Sequence, residues 1–414
     1  MVLRFRWPAQ AAALVLVAGA ALLAGAPVCA ADLTAEARRL VGVGQGVQVE
    51  TADGRVLVSE AGARAVHPAS VSKIPTTLAL LRKLGPDYRF ETRFLAGGPI
   101  RSGTIEGSLV VRANGDPYFV DENALLAMGA LRELGLSQVR GVLVAEGALL
   151  FNWEAESLAP RLQYALQGGV SAEAWQSVRA TLGNANAPGT EIPSLFFAQS
   201  PASTTGTETL LATHRSQPLL DMLKALNGYS NNIFAPFALA AGGIGAVQER
   251  VREELPASYR DELVLGDGAG AHAANRMSPR ATVAILRALD QELAGHGLDL
   301  TSVMPVAGID EGTLKMRLGG PNGEGLVVAK TGTYGDYGAC ALAGALRTKS
   351  GPIYFAILNR GVPIEEARRR QDAYVRVLMD QFGALPWSYQ RDDAPAFTRA
   401  EVRIAVRDAD ATSD

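Results

Sequence analysis

The sequence has little cysteine, few aromatic residues and almost no net charge. Cys29 and Cys340 are the two cysteines among 414 residues, and aromatic side chains make up 6%. If Cys29 leaves with an N-terminal signal, the mature chain has no internal disulfide, and Cys340, in an apolar run, is expected in the core. The formal net charge of −3 gives no reason to expect binding to nucleic acid or to an anionic membrane surface.

Metal-ligand spacing is also lacking. The four histidines lie far apart, and none pairs with a cysteine or another histidine at a spacing typical of a metal site; they are His67, His214, His272 and His296. We therefore expect neither a metal nor another cofactor.

Long hydrophobic runs are lacking except at the N-terminus. Arg4 and Arg6 precede an apolar run from Ala11 to about Gly25, and small residues follow at Val28-Cys29-Ala30. This layout predicts a secretory signal peptide over residues 1–30 and export to the periplasm or cell envelope. No later run is long enough to span a bilayer, so we expect no transmembrane segment after cleavage.

The remaining composition is that of a globular protein of two or three domains, with 48% hydrophobic and 20% charged residues. A short helix over 33–41 is predicted after the signal, followed by alternating strands over 46–50 and 55–58. Further strands are predicted within 325–359, and a long amphipathic helix over 363–382. Between these parts, from Gly85 onward, the pattern of predicted helices and strands changes. We interpret residues 86–205 as an inserted domain.

A hydroxyl and an amine stand three residues apart in His67-Pro68-Ala69-Ser70-Val71-Ser72-Lys73. On a helix such residues share a face, so Lys73 could activate Ser70 as a nucleophile. The alternative is a surface serine and a surface lysine. Pro75 is expected to kink this helix or to confine regular helix to later residues.

Two further motifs follow in the chain. Ser230-Asn231-Asn232 is predicted at a helix–loop junction, and Lys330-Thr331-Gly332-Thr333 on a strand. S-x-x-K, S-x-N and K-T-G in this order are the signature of penicillin-binding proteins and serine β-lactamases. Alternatively, Ser230 and Asn232 cap a helix and Lys330 is a solvated strand-end lysine.

The sequence around the motifs resembles that of the D-alanyl-D-alanine carboxypeptidase/endopeptidase family, the class C low-molecular-mass penicillin-binding proteins. The resemblance extends over roughly 33–145 and 214–385. Two departures are a shortened insertion and Ala269, where the family usually has serine. The resemblance is carried by Pro68-Ala69-Ser70, Leu84-Gly85-Pro86-Asp87-Tyr88-Arg89-Phe90, Gly115-Asp116-Pro117, Asp267-Gly268-Ala269-Gly270, Asn275-Arg276-Met277-Ser278-Pro279-Arg280, Pro305-Val306-Ala307-Gly308 and Gly312-Thr313-Leu314-Lys315.

The resemblance implies an α+β fold of the serine β-lactamase/penicillin-binding-protein type: an antiparallel sheet flanked by helices, a helical subdomain and an inserted lobe. The penicillin-binding (peptidase) domain would comprise 31–85 and 206–390. Residues 86–205 would form the inserted domain and 391–414 a C-terminal tail.

The resemblance also implies an acyl-enzyme on Ser70, formed with peptidoglycan stem peptides that end in D-Ala-D-Ala and with β-lactams as covalent inhibitors. Lys73 would be the base, Ser230 a proton relay, Asn232 a substrate ligand and Lys330 a source of positive charge. Thr331, Gly332 and Thr333 would form the substrate-binding strand, with Thr331 and Thr333 binding the terminal carboxylate and Gly332 allowing close backbone approach. The oxyanion would bind at the N–H groups of Ser70 and Thr333.

Two other functions stay open at this point. A catalytically impaired member of the family would only bind peptidoglycan or a partner protein. A serine β-lactamase of class A needs a glutamate for deacylation, and no convincing Glu-x-x-Leu-Asn lies between the first two motifs.

Overall fold

The computed structural model describes residues 30–154, 158–182, 194–199, 207–320, 323–335 and 338–405. Nearly all of the predicted signal peptide (1–29) and the last residues (406–414) lie outside the described residues. Within the described part, no helix combines the length and apolar character needed to cross a membrane.

The helices of the described chain alternate with strands from the beginning. They are α1 (Ala30–Leu40), α2 (Lys73–Leu84), α3 (Asp121–Glu133), α4 (Leu158–Leu166), α5 (Ala172–Leu182), α6 (Leu219–Tyr229), α7 (Phe234–Ala240), α8 (Ile244–Glu253), α9 (Pro279–Gly295) and α10 (Ile364–Phe382). Short 3₁₀ turns are Ala69–Ser72, Ala257–Glu262, Leu300–Ser302 and Ala396–Arg399.

The strands divide into two five-stranded sheets and two small ones. They are β1 (Gly46–Thr51), β2 (Val56–Glu60), β3 (Glu91–Ala96), β4 (Ile100–Arg101), β5 (Thr104–Ile105), β6 (Leu109–Asn114), β7 (Gln138–Val139), β8 (Leu143–Ala148), β9 (Phe196–Phe197), β10 (Thr209–Arg215), β11 (Leu263–Val264), β12 (Arg276–Met277), β13 (Val327–Tyr334), β14 (Ala339–Thr348), β15 (Gly351–Arg360) and β16 (Glu401–Ile404).

The first sheet combines two strands from the N-terminal part of the described chain with three strands that follow residue 326. Its strand order is β13-β14-β15-β1-β2, and every neighbouring pair is antiparallel. Alternate residues point to opposite faces of a strand, so Ala343 packs beneath α2 and α9 while Leu342 packs toward α1 and α10. Both faces are therefore buried, which explains the almost continuous apolar run of β14, including the buried Cys340.

The second sheet has its own core. Its order is β16-β10-β3-β6-β8, in which only β6 and β8 run parallel. Helices α3, α4 and α5 contribute to the cluster of buried side chains beside it. Strand β10 lies in the range predicted for the peptidase domain and β16 in the predicted tail, so the polypeptide returns to this sheet twice after residue 205.

The start of α2 differs from the expectation for Pro75. The α-helix begins at Lys73, two residues before the proline, after the 3₁₀ turn Ala69–Ser72. Pro75 thus occupies the first turn, where a backbone N–H would have no acceptor within the helix. The proline therefore costs no helical hydrogen bond, and Ser70 lies on the tighter turn beneath the helix.

Candidate active site

Ser70 lies in the 3₁₀ turn that packs against strand β13, at the edge of the first sheet. The preceding residue, Ala69, has φ of 50°, in the left-handed region that alanine rarely adopts. His67 fixes this peptide, because its Nδ1 accepts a hydrogen bond from the Ala69 N–H at 3.1 Å. Such strain persists only where the surroundings hold the backbone in place.

Lys73 lies at the bottom of the site with no exposed surface. Its Nζ lies 3.0 Å from Ser70 Oγ, 3.3 Å from Asn232 Oδ1 and 2.6 Å from the carbonyl oxygen of Ala269. Burial lowers the pKa of Lys73 to about 8, against the opposing charge of Asp267. A lysine in this environment can lose its proton near neutral pH and act as a base.

The turn Asp267-Gly268-Ala269-Gly270 packs against the Ser70 peptide. Asp267 accepts hydrogen bonds from the backbone N–H groups of Gly270, at 2.7 Å, and Ala271, at 3.0 Å, so its carboxylate stabilises the turn. A Cβ on Gly270, whose φ is 88°, would lie 2.0 Å from the Ala69 oxygen. Only glycine permits this approach.

The second motif follows helix α6. Ser230 ends the helix in the left-handed conformation, with φ of 57°, and its Oγ accepts a hydrogen bond from Lys330 Nζ at 2.9 Å. Asn232 is exposed and accepts from Lys73. These contacts differ from those of a simple helix cap, because each side chain is hydrogen-bonded to a buried lysine of another motif instead of a helix N-terminus.

Lys330 lies on the edge strand β13, where it pairs with Ala343 of β14. Its side chain is fully buried and also donates to the Thr331 carbonyl at 2.7 Å, so it is not a solvated strand-end lysine. Burial, followed by the charge of Lys73, holds the pKa of Lys330 well below its ordinary value. Gly332 is needed next to it, since a Cβ there would lie 2.8 Å from the Pro68 oxygen and 3.0 Å from the Ser70 nitrogen.

The motifs meet around a small cavity of about 190 Å³. Of the eight residues singled out from the sequence, five line the cavity and two more, Lys73 and Lys330, are hydrogen-bonded to a residue that does. The lining consists of Ser70, Ser230, Thr313, Arg317, Thr331, Gly332, Thr333 and Arg368. Lys73 and Lys330 lie behind the cavity wall, each hydrogen-bonded to one of the serines.

Three lining residues were not assigned a role from the sequence. Thr313 accepts a hydrogen bond from Thr331 at 2.7 Å, and Arg368 donates one to Thr333 at 3.2 Å. Arg317 is held by Asp372 at 2.6 Å. Thr313 belongs to the Gly312-Thr313-Leu314-Lys315 stretch of the resemblance, but nothing local in the sequence indicates that a helix beginning at 364 would bring Arg368 to the same cavity.

Taken together, the fold and these contacts define a serine hydrolase of the penicillin-binding class. The sequence profile of the D-Ala-D-Ala carboxypeptidase 3 (S13) family matches residues 30–185 and 194–381. The chain belongs to this family.

Two curated relatives carry D-alanyl-D-alanine carboxypeptidase names. One, from an Actinomadura species, is 26% identical over 419 aligned positions that cover 76% of this chain and 77% of the relative. DacB of Haemophilus influenzae is 28% identical over 92 residues, which are 22% of this chain and only 19% of that relative.

Two solved structures show the same fold. A penicillin G-acylated predatory endopeptidase of Bdellovibrio bacteriovorus, in complex with an immunity protein, has a TM-score of 0.72 at 22% identity, covering 87% of this chain and 99% of that one. Penicillin-binding protein 4 of Haemophilus influenzae has a TM-score of 0.60 at 19% identity, covering 85% and 99%. The α+β fold class expected from the sequence is confirmed.

Proposed function

We propose that this protein is a serine-type D-Ala-D-Ala carboxypeptidase/endopeptidase of peptidoglycan, acting in the cell envelope after export. The observation that carries the proposal is the 3.0 Å contact between Lys73 Nζ and Ser70 Oγ beside an open cavity. Stem peptides that end in D-Ala-D-Ala are the substrates, and β-lactams are covalent inhibitors.

Acylation begins with attack of Ser70 Oγ on the carbonyl carbon of the penultimate D-Ala. Lys73 takes the hydroxyl proton as general base. The developing oxyanion is stabilised by the backbone N–H groups of Ser70 and Thr333, because fixed donors cost no reorganisation during the reaction. The close packing of Gly332 on the Ser70 nitrogen supports this pairing of strand and turn.

Collapse of the tetrahedral intermediate breaks the C–N bond and requires a proton on the leaving amine. Ser230 relays this proton, since its hydroxyl lies on the cavity wall and is hydrogen-bonded to Lys330. Asn232 holds the substrate amide and orients Lys73. Water then attacks the ester, releases the shortened peptide and returns a proton to Ser70.

The test is covalent labelling by a fluorescent penicillin, together with release of D-Ala from a pentapeptide. Ser70→Ala should abolish both while leaving the protein folded, because it removes the nucleophile. Ser72→Ala is the matched control: Ser72 is buried, its hydroxyl has no hydrogen-bond partner among the described residues, and it lies outside the cavity. Equal labelling of wild type and Ser70→Ala would place the nucleophile elsewhere.

The same assay separates the alternative functions. An impaired, purely binding family member would be neither labelled nor able to release D-Ala. A β-lactamase would be labelled only transiently and would consume penicillin in multiple turnovers. The described cavity lining contains no carboxylate to activate a deacylating water, so we expect the penicilloyl adduct to be long-lived.

A further inference from the structure

The C-terminal carboxylate of the substrate needs a cation to bind to. Neither of the two motif lysines is placed to contact it directly. Lys330 has no exposed side-chain surface and does not line the cavity. Its Nζ is engaged by the Ser230 hydroxyl and the Thr331 carbonyl. Lys73 is equally buried and contacts Ser70 and Asn232.

The threonines of the third motif are not equivalent donors. Thr331 donates its hydroxyl to Thr313, which in turn donates to the carbonyl oxygen of Gly228 at 3.3 Å. A hydroxyl has one proton to give, so the Thr331 proton is already committed in this arrangement. Thr333 is exposed and accepts a hydrogen bond from Arg368, which leaves its own proton available to a ligand.

Two guanidinium groups line the cavity among the described residues. Arg317 is 12% exposed and committed to an ion pair, with its Nε and Nη2 both directed at Asp372. It also donates to the backbone oxygen of Arg368 at 3.4 Å, which holds the first turns of α10 at the cavity. Arg317 therefore positions the helix and is not available as a ligand.

Arg368, in contrast to Arg317, is partly exposed and only weakly paired. Its side chain is 39% exposed, and its one carboxylate partner within the described part of the chain, Glu365, is 73% exposed. An exposed i,i+3 pair of this kind is screened by water and contributes little to stability, so a ligand carboxylate can replace Glu365 at little cost. A guanidinium keeps its charge at every relevant pH and matches the fork of a carboxylate.

We propose that Arg368 is the specificity-determining cation for the carboxylate of the leaving D-amino acid, which it binds together with the Thr333 hydroxyl. The inference rests on the proposed peptidase function and deepens it. Charge on the C-terminal carboxyl group of the substrate is then recognised by a residue of the last long helix, outside the three motifs.

The experiment compares a tripeptide ending in D-Ala-D-Ala with the same peptide as its C-terminal carboxamide. Charge-assisted hydrogen bonds contribute about 1.5–3 kcal/mol, so Arg368→Gln should lower kcat/KM for the acid by roughly 10- to 100-fold, mainly through KM. For the carboxamide the change should be less than about 2-fold, since the contact is absent there. Arg368→Lys should recover part of the loss on the acid.

Arg369→Gln is the matched control. It makes the same charge change on the same helix, at an exposed residue that does not line the cavity, and should leave both substrates unaffected. Equal losses on acid and carboxamide in Arg368→Gln, or an equal effect of Arg369→Gln, would overturn the inference while leaving the peptidase function standing. A wild-type protein that reacts with neither peptides nor penicillin would overturn the proposed function, and the inference with it.

Discussion

Lys73 Nζ lies 3.0 Å from Ser70 Oγ, and two more of its contacts are to oxygens that can only accept hydrogen bonds, the Ala269 carbonyl and the Asn232 amide oxygen. A neutral amine has two N–H donors and one lone pair. The two obligate acceptors take the donors, and the Ser70 hydroxyl can donate to the lone pair. The geometry thus fits the uncharged lysine that a general base requires.

The first prediction concerns pH. Because burial lowers the pKa of Lys73 to about 8, the base is protonated and inactive below that value. The second-order rate of acylation by a penicillin should therefore rise with pH, about tenfold per unit well below 8, and level off above it. Stopped-flow acylation between pH 5.5 and 9.5 measures this profile. A rate that stays constant from pH 6 to 9 would argue against Lys73 as the titrating base.

The second prediction separates the two lysines. Arginine keeps the charge but cannot act as a base, so Lys73→Arg should lose on the order of 100-fold or more in acylation rate. Lys330→Arg should keep part of the rate, because arginine places a permanent positive charge beside Ser230. Lys330 is fully buried, however, and the larger side chain should lower the melting temperature.

The test measures the acylation rates of both variants with one β-lactam, after circular dichroism has confirmed that each variant is folded. Equal losses would reject this division of labour. Near-full activity of Lys73→Arg would remove Lys73 as the base.

Much of the architecture was predictable from short-range patterns. The hairpin across 348–351 follows from two apolar runs separated by turn residues, and the structure has β14 and β15 paired there. The three motifs were predicted on a helix, at a helix–loop junction and on a strand; Lys73 opens α2, Ser230 follows α6 and Lys330 lies in β13.

The contacts that complete the cavity were not predictable in this way. Arg368 reaches Thr333 from a helix that is 35 residues further along the chain, and Arg317 is held by Asp372, 55 residues away. Such pairs depend on the position and orientation in which α10 packs on the sheet. Hydrophobic periodicity predicts which face of the helix is buried, but not where that face lies on the sheet. Strand β16 was missed for a related reason, since four residues of an edge strand carry little pattern.

The third prediction tests the packing of the Gly268–Gly270 turn on the nucleophile. Gly270→Ala would place a Cβ 2.0 Å from the Ala69 oxygen and 2.9 Å from the Ser70 nitrogen, so Ser70 must move. Acylation should fall by at least about 100-fold, because small displacements of reacting groups are costly. Gly297→Ala is the control: its φ of 72° is also positive, but a Cβ there meets nothing within 4 Å. Similar acylation rates in the two variants would show that the close approach is unimportant.

A partly buried ion pair joins helix α6 to the segment between α9 and β13. Lys224 Nζ lies 2.6 Å from Asp310 Oδ2 and also donates to the carbonyls of Thr301 and Met304, each at 2.8 Å. The Tyr389 hydroxyl donates to the other Asp310 oxygen at 2.6 Å. The side chains of Lys224 and Asp310 are 20% and 9% exposed.

The fourth prediction is that Lys224→Met lowers the free energy of unfolding by about 3 kcal/mol or more. Methionine fills a similar volume, but it leaves the Asp310 carboxylate without its cation, and removing one member of a buried pair typically costs about 3–5 kcal/mol. Arg403→Met is the control, since Arg403 and Glu401 form a pair that is 64% and 41% exposed and should contribute less than about 1 kcal/mol. Urea denaturation of both variants gives the comparison. If Lys224→Met costs no more than Arg403→Met, the ion pair does not anchor α6, and the position of Ser230 at the end of that helix must depend on its apolar contacts alone.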